Sequence, residues 1–237
     1  LGSDNVVGVA LPSKYNTEES LVDARLLAEN LDIEFKVIEI EEIVNIFRNT
    51  LKESVNDKLG QTTDENIQSR VRGNILMALS NQTGAMVVST GNKSEMAVGY
   101  STLYGDLAGG FALLKDLYKT EVYNLANFRN SISSVIPQNT IDKEPSAELR
   151  PDQFDKDSLP EYELLDEILR MYIEEDSSSE KIISMGIDEN IVYDVLSKVD
   201  RNEYKRKQVA PGVKLTEKAF GKDRRMPITN TYIRERG

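Results

Sequence analysis

Three short apolar runs alternate with stretches of helical periodicity between residues 6 and 90, and few folds accept that alternation. Val6-Val7-Gly8-Val9-Ala10-Leu11 reads as a buried strand ended by Pro12. Behind a candidate cap at Thr17, the apolar Leu21, Ala24, Ala28 and Leu31 recur at helical spacing. Phe35-Lys36-Val37-Ile38-Glu39-Ile40 is the next strand. The capping-box pattern Thr62-x-x-Glu65 then opens a helix that buries Ile67, Val71, Ile75 and Leu79 at intervals of four. A third strand, Gly84-Ala85-Met86-Val87-Val88-Ser89-Thr90, follows directly. Strand, helix, strand, helix, strand implies parallel pairing with right-handed crossovers, which is the α/β class with a doubly wound parallel sheet.

After Phe111 the pattern changes to helices broken by loops, so a helical C-terminal part is expected. Residues 136 to 160 hold Pro137, Pro145, Pro151 and Pro160 among acids and amides and read as one long loop, a length usually reserved for function or motion. Leu164, Leu165, Ile168 and Leu169 mark a helix started by Pro160; Ser177-x-x-Glu180 caps another that ends near Gly186. Ile191, Val192, Val195, Leu196 and Val199 mark the last clear helix. There is no internal repeat or low-complexity tract. A chain of 237 residues can bury one substantial core, and one domain over residues 1–237 is expected.

Composition removes several kinds of chemistry. Cysteine and histidine are both absent, which excludes disulfides, thiol nucleophiles, histidine bases and the commonest zinc sites. Any metal must be hard and oxygen-bound, which points to magnesium held by carboxylates and phosphates. The 29 basic and 40 acidic side chains give a net charge of −11, which disfavours broad nucleic-acid binding. Against that background, residues 201 to 225 carry nine basic side chains and three acidic ones, a local balance suited to a small polyphosphate. No run approaches the roughly 18 apolar residues of a membrane span, and no charged-then-apolar signal precedes Leu1, so no membrane and a cytoplasmic location are expected.

The stretch STGNKSEMAVGYSTLYGDLAGG, residues 89 to 110, sets small, polar and acidic residues behind the third strand. In an open α/β sheet the ligand lies beyond the carboxyl ends of the strands, so Thr90, Asn92, Lys93 and Glu95 are expected to face it. With IPQNTIDKEPSAELRPDQFDKDSLPEYELLD (136 to 166), DRNEYKRKQ (200 to 208) and KAFGKDRRMPITN (218 to 230), this stretch resembles the synthetase domain of the NAD synthetase family. The resemblance runs from about Asn5 to the end and is nearer to the glutamine-dependent, two-domain form than to the short ammonia-dependent form. It implies a Rossmann-like sheet of the adenine nucleotide alpha hydrolase type.

It also implies a reaction. The carboxylate of nicotinic acid adenine dinucleotide attacks the α-phosphorus of ATP, giving an acyl-adenylate and pyrophosphate; ammonia, free or released from glutamine, then displaces AMP to give NAD. By resemblance Thr90, Lys119 and Ser146 contact ATP, and Glu95 binds magnesium or the substrate. Asn66, Arg70, Tyr100, Ser101, Thr102, Leu103 and Lys205 would hold the dinucleotide, Lys205 often across a homodimer contact. Each of these has an ordinary reading from the residues alone. Asn66, Arg70 and Asn74 recur at intervals of four like any solvated helix face. Thr90 and Glu95 suit an N-cap and a first-turn acid; Ser146 after Pro145 suits a cap, and Lys119 and the 201–207 run suit solvent.

A doubly wound nucleotide domain usually opens with a strand feeding a glycine-rich turn that grips phosphate. The family's version is an SGGxDS loop, preceded by an amidase domain, and neither occurs in these residues. Leu1-Gly2-Ser3-Asp4-Asn5 reads as the end of a helix running into the second strand, so the first strand and its pyrophosphate loop are expected to be missing. Two further readings stay open: a folded, inactive fragment that keeps dimerisation or dinucleotide binding, and another amidating enzyme of the ATP-pyrophosphatase type, such as a GMP or asparagine synthetase.

Overall fold

A computed structural model describes residues 1–52, 54–55 and 59–229. Asn230, which closes the last motif named above, lies outside the described residues. The chain divides into two compact units, residues 1–74 with 123–158 and residues 75–122 with 159–237. Each is described by itself.

In unit 1 the expected strands are β1 (Val7–Ala10) and β2 (Glu34–Val37), joined by α1 (Glu18–Asn30). They pair in parallel with Val7 opposite Glu34 and Ala10 opposite Val37. Two further bonds, Ile38 N–H to Ala10 O at 2.9 Å and Ile40 N–H to Pro12 O at 3.0 Å, carry the alignment past the strand ends. Thr17 is the N-cap of α1, its hydroxyl oxygen accepting from Ser20 N–H, as the sequence predicts. α2 (Glu41–Lys52) follows, and then α3 (Gln61–Thr83). α3 starts one residue before Thr62, so the expected box is not its cap; Gln61 instead donates to Glu65 at 3.0 Å. Ile67 and Val71 are buried on α3, joining Leu11, Ala28, Ile40, Val44 and Val135 as the apolar interior of this unit.

The segment read as one long loop contains a helix, α6 (Gln138–Asp142). Its prolines mislead because Pro137 stands at the N-cap, where no N–H is needed for the helix ladder. The rest is fastened by side chains. Glu148, in left-handed backbone with φ 49°, takes Lys143 at 2.6 Å, Ser20 at 2.7 Å and Asn16 at 2.9 Å. Burial opposes its charge, but these donors outweigh it and hold the carboxyl below the usual glutamate range.

Unit 2 carries a second parallel pair, β3 (Val88–Ser89) with β4 (Phe111–Ala112), and the short α4 (Lys93–Val98). α5 (Lys119–Ile132) begins here. Its core is helical: α7 (Tyr162–Ile173), α8 (Ser179–Ser184) and α9 (Glu189–Arg201) pack Leu165, Ile168, Leu169, Ile182, Val192, Val195 and Leu196 around Ala97, Val98 and Tyr118. A last turn, α10 (Glu203–Arg206), follows Asn202. The α8 cap is Ser178 rather than Ser177, with its oxygen accepting from Lys181 N–H. Parallel strands linked by helices are the expected α/β architecture. No helix among the described residues is long and apolar enough to cross a membrane.

Candidate functional site

The turn leaving β3 shapes the first part of the site in unit 2. Asn92, two residues beyond the expected cap Thr90, is the N-cap of α4. Its side-chain oxygen accepts from Glu95 N–H at 2.9 Å while Glu95 Oε2 accepts from Asn92 N–H at 3.1 Å, a complete capping box. Thr90 is left exposed in the preceding turn. Gly99, with φ 73°, closes α4 after six residues. One oxygen of Glu95 therefore serves the helix, and the other is free of that duty.

That second oxygen meets Lys119. Lys119 opens α5, and its Nζ lies 3.2 Å from Glu95 Oε1 and 5.2 Å from the centre of the Tyr162 ring. The two charged side chains keep 21% and 20% of their surface, so a ligand can reach the pair without unfolding either helix.

Behind α4, the segment Tyr100 to Leu103 is tied to α10. Lys205 Nζ donates to Gly99 O at 2.6 Å and Ser101 O at 2.7 Å. Burial pushes this amine below the ordinary lysine range, against the pull of Asp106. Asp106 itself accepts from Thr102 N–H at 2.7 Å. Ser101 Oγ is buried with no hydrogen-bond partner, an orphan polar atom inside the segment expected to line the substrate pocket. Glu95 with Lys119, and Lys205 with residues 99 to 101, are the expected residues that unit 2 brings together.

Three expected residues lie in unit 1. Asn66 on α3 is half-buried, while Arg70 and Asn74 one and two turns on are exposed. Ser146 is in a turn rather than a helix cap: its hydroxyl donates to Gln153 O at 2.5 Å and accepts from Glu148 N–H at 3.0 Å. The same unit holds an arginine that the periodic stripe did not single out. Arg72 Nε donates to Leu11 O at 2.9 Å and its Nη2 to Asn16 Oδ1 at 3.0 Å, fixing the turn after β1.

Lys93 corrects the reading of the motif. Expected to face a ligand, it is wholly buried: its Nζ donates to Thr216 Oγ1 at 2.5 Å, Glu174 Oε1 at 3.0 Å and Lys218 O at 3.0 Å, and lies 3.2 Å from Asp116. It fastens the tail to the motif. Much of the basic stretch is spent likewise. Arg206 is buried against Glu203 and the carbonyls of Ala97 and Val199; Lys214 pairs with Asp223 at 2.8 Å; Lys218 and Arg224 share Asp176.

Among the described residues no three acidic side chains converge as a metal cluster. Glu95 is a hard carboxylate outside any such cluster, which fits magnesium as an ion that takes most of its ligands from substrate phosphates and water. Two cavities of unit 2 are lined by neither Glu95 nor Lys119. One of about 540 Å³ is bordered by Thr120, Glu163, Asp166 and Arg170, the other of about 310 Å³ by Met96, Lys115, Arg206 and Arg225.

Comparison with known proteins points one way. Residues 1–209 match the family model described as NAD synthase. The chain is 53% identical over 234 residues to a protein of Aquifex aeolicus named glutamine-dependent NAD(+) synthetase, covering 99% of this chain and 41% of that protein. A protein of the same name from Thermotoga maritima is also 53% identical, with 98% and 41% covered. The chain thus spans about two fifths of the length of these relatives. Among solved structures, the glutamine-dependent NAD+ synthetase of Acinetobacter baumannii, in complex with ADP, is 46% identical with a TM-score of 0.60, covering 96% of this chain and 41% of that one. The enzyme of the same name from Cytophaga hutchinsonii superposes with a TM-score of 0.78 at 23% identity over 95% of this chain and 38% of that one, a likeness of fold.

Proposed function

The chain belongs to the NAD synthase family, and from that premise we propose that it carries the ATP-dependent amidation of nicotinic acid adenine dinucleotide to NAD. The observation that carries this reading is the Glu95–Lys119 pair, which joins the 89–110 motif to the start of α5. In the first step a substrate carboxylate oxygen forms a bond to the α-phosphorus of ATP, and the bond from that phosphorus to the β-phosphate bridging oxygen breaks. Pyrophosphate leaves with the electron pair. In the second step ammonia adds to the acyl carbon and AMP departs, with one ammonia proton passing to solvent.

Neither step demands a strong side-chain base, which suits a chain with no histidine or cysteine. Alignment and charge neutralisation are the protein's work. Lys119 would hold an ATP phosphate oxygen, and by family resemblance Thr90 and Ser146 would also contact ATP. Lys205, which also bonds Gly99 O and Ser101 O, would bind the dinucleotide, Tyr100 to Leu103 would line its nicotinate pocket, and Asn66 and Arg70 would contribute to holding it. A magnesium ion held at Glu95 would neutralise phosphate charge. Ammonia, free or glutamine-derived, completes the substrates, and a cytoplasmic homo-oligomer, a dimer or larger, is the form in which we expect the protein to act.

The test is Glu95→Gln in the intact protein, assayed for ATP-dependent pyrophosphate release. A loss of about 100-fold or more in kcat with an unchanged circular dichroism spectrum is expected. Wild-type release would remove Glu95 from the chemistry. One observation favours a second reading: the 237 residues contain no SGGxDS loop. Calorimetry with the deamidated dinucleotide on residues 1–237 separates the two, since binding without pyrophosphate release supports a folded, inactive piece. Amidation of a free nucleotide instead of the dinucleotide would mark a different ATP-pyrophosphatase-type ligase.

A further inference from the structure

We propose that Asp166 is the positioning residue that sets the Glu95–Lys119 pair, an inference that rests on the amidation reading. Asp166 sits on α7 and is 3% exposed. Its Oδ1 accepts the hydroxyl of Ser94, and its Oδ2 accepts both the N–H and the hydroxyl of Thr120, at 2.9 and 2.8 Å. Ser94 is the residue before Glu95, and Thr120 is the residue after Lys119. Ser94 Oγ in turn accepts from Lys119 N–H at 2.9 Å. One carboxylate thereby pins the chain neighbour of each charged group and, through Ser94, ties the two helix starts to one another.

The helix that carries Asp166 is a stiff support. Leu165, Ile168 and Leu169 beside it are fully buried in the core of unit 2. One turn earlier on the same face stands Tyr162, whose ring lies under Lys119 Nζ at 5.2 Å. A single face of α7 therefore supplies both the ring that the ammonium rests on and the acceptor that fixes its backbone. The chemistry of the acceptor matters. Three donors converge on two oxygens, and a carboxylate satisfies all of them, whereas an asparagine would turn its own N–H donors toward a crowd of donors. Glu95 and Lys119 would then drift relative to each other, and a displacement of about 1 Å in a reacting constellation can cost about 100-fold in rate.

The experiment compares Asp166→Asn with Asp200→Asn in the intact protein. Asp200 is a comparably buried carboxylate that accepts the Tyr172 hydroxyl at 2.7 Å. The measurements are kcat and KM for ATP-dependent pyrophosphate release, the Tm, and a crystal structure of Asp166→Asn. The expected result is a kcat lower by about 10- to 100-fold with KM within about threefold of wild type, and a Lys119 Nζ to Glu95 Oε1 separation beyond the 3.2 Å seen here. Asp200→Asn should keep kcat within about twofold. Should Asp166→Asn not fold, Ser94→Ala removes the relay while leaving the bonds to Thr120, and about a tenfold loss in kcat is expected. Wild-type kcat in either variant, or an Asp166→Asn structure that keeps the contact, overturns the proposal. If the wild-type protein releases no pyrophosphate, the amidation reading fails, and the variant's structure still decides whether Asp166 sets the pair.

Discussion

Lys93 shows how one residue inside a functional motif can be devoted to architecture. Its ammonium is wholly buried between Asp116 and Glu174, carboxylates whose side chains keep 2% and 14% of their surface. Burial opposes the charge of Asp116, but the N–H groups of Thr216 and Leu215 together with Lys93 hold its carboxyl below the ordinary aspartate range. A carboxyl lowered in this way stabilises the fold above its unfolded pKa of about 4, and the contribution disappears as pH falls through the folded value. Replacing Lys93 by methionine leaves the buried Asp116 and the half-buried Glu174 without their cation, a change that typically costs about 3 kcal/mol or more. In a chain of this size that is a Tm lower by about 6 °C or more at neutral pH. Because Asp116 regains a higher pKa in Lys93→Met, the acid loss of stability should also begin at a higher pH than in wild type. A thermal-melt series across pH checks both parts. An unchanged melting curve would mean that the network does not anchor the tail.

The elements were legible in the sequence where periodicity left one register open. At the start of α1 Asn16 offers equal capping chemistry, but its side-chain oxygen accepts from Ser13 N–H at 2.8 Å, which leaves the cap to Thr17; the apolar spacing of α9 admits one face only. Registers slipped where several residues of equal capping chemistry stand together. Ser177, Ser178 and Ser179 differ only in the backbone geometry that tertiary packing imposes, and Asn92 outcompetes Thr90 because Glu95 can return its bond from the third helical position. The family resemblance named Glu95, Lys119 and Lys205 as candidates; nothing in the sequence pointed to Asp166, since a polar residue amid LLDEIL reads as the wet side of an amphipathic helix. Gly99 belongs to the same scale. It ends α4 in left-handed backbone, and a Cβ there would fall 2.1 Å from Cγ of Asn202, whose amide donates to Val98 O and Lys198 O. Gly99→Ala should therefore cost about 2 kcal/mol or more, combining backbone strain with displacement of Asn202. Since Gly99 O also receives Lys205, the same variant should weaken dinucleotide binding. Urea midpoint and calorimetric Kd are the readouts, and wild-type values for both would show that the joint between α4 and α10 is tolerant.

At the scale of the whole molecule the question is where the nitrogen comes from. The relatives named glutamine-dependent are more than twice as long as this chain, which covers 41% of them. Releasing ammonia from the glutamine amide is an acyl transfer that needs an activated nucleophile, and the commonest solutions employ a cysteine thiolate or a histidine base. Residues 1–237 contain neither cysteine nor histidine. The proposed adenylation and amination steps, in contrast, ask only for placement and charge, which in that proposal fall to Glu95, Lys119 and their buried supports. The two halves of the chemistry thus separate by residue type. If residues 1–237 turn over at all, ammonium should support NAD formation, and glutamine at the same concentration should give none above the rate without a nitrogen source. A full-length relative named glutamine-dependent, run beside it, should use glutamine. A coupled NAD assay run with each nitrogen source on both polypeptides decides the matter. Glutamine-supported NAD formation by residues 1–237 alone would place the amidase chemistry on residues that this reading assigns entirely to the ligase.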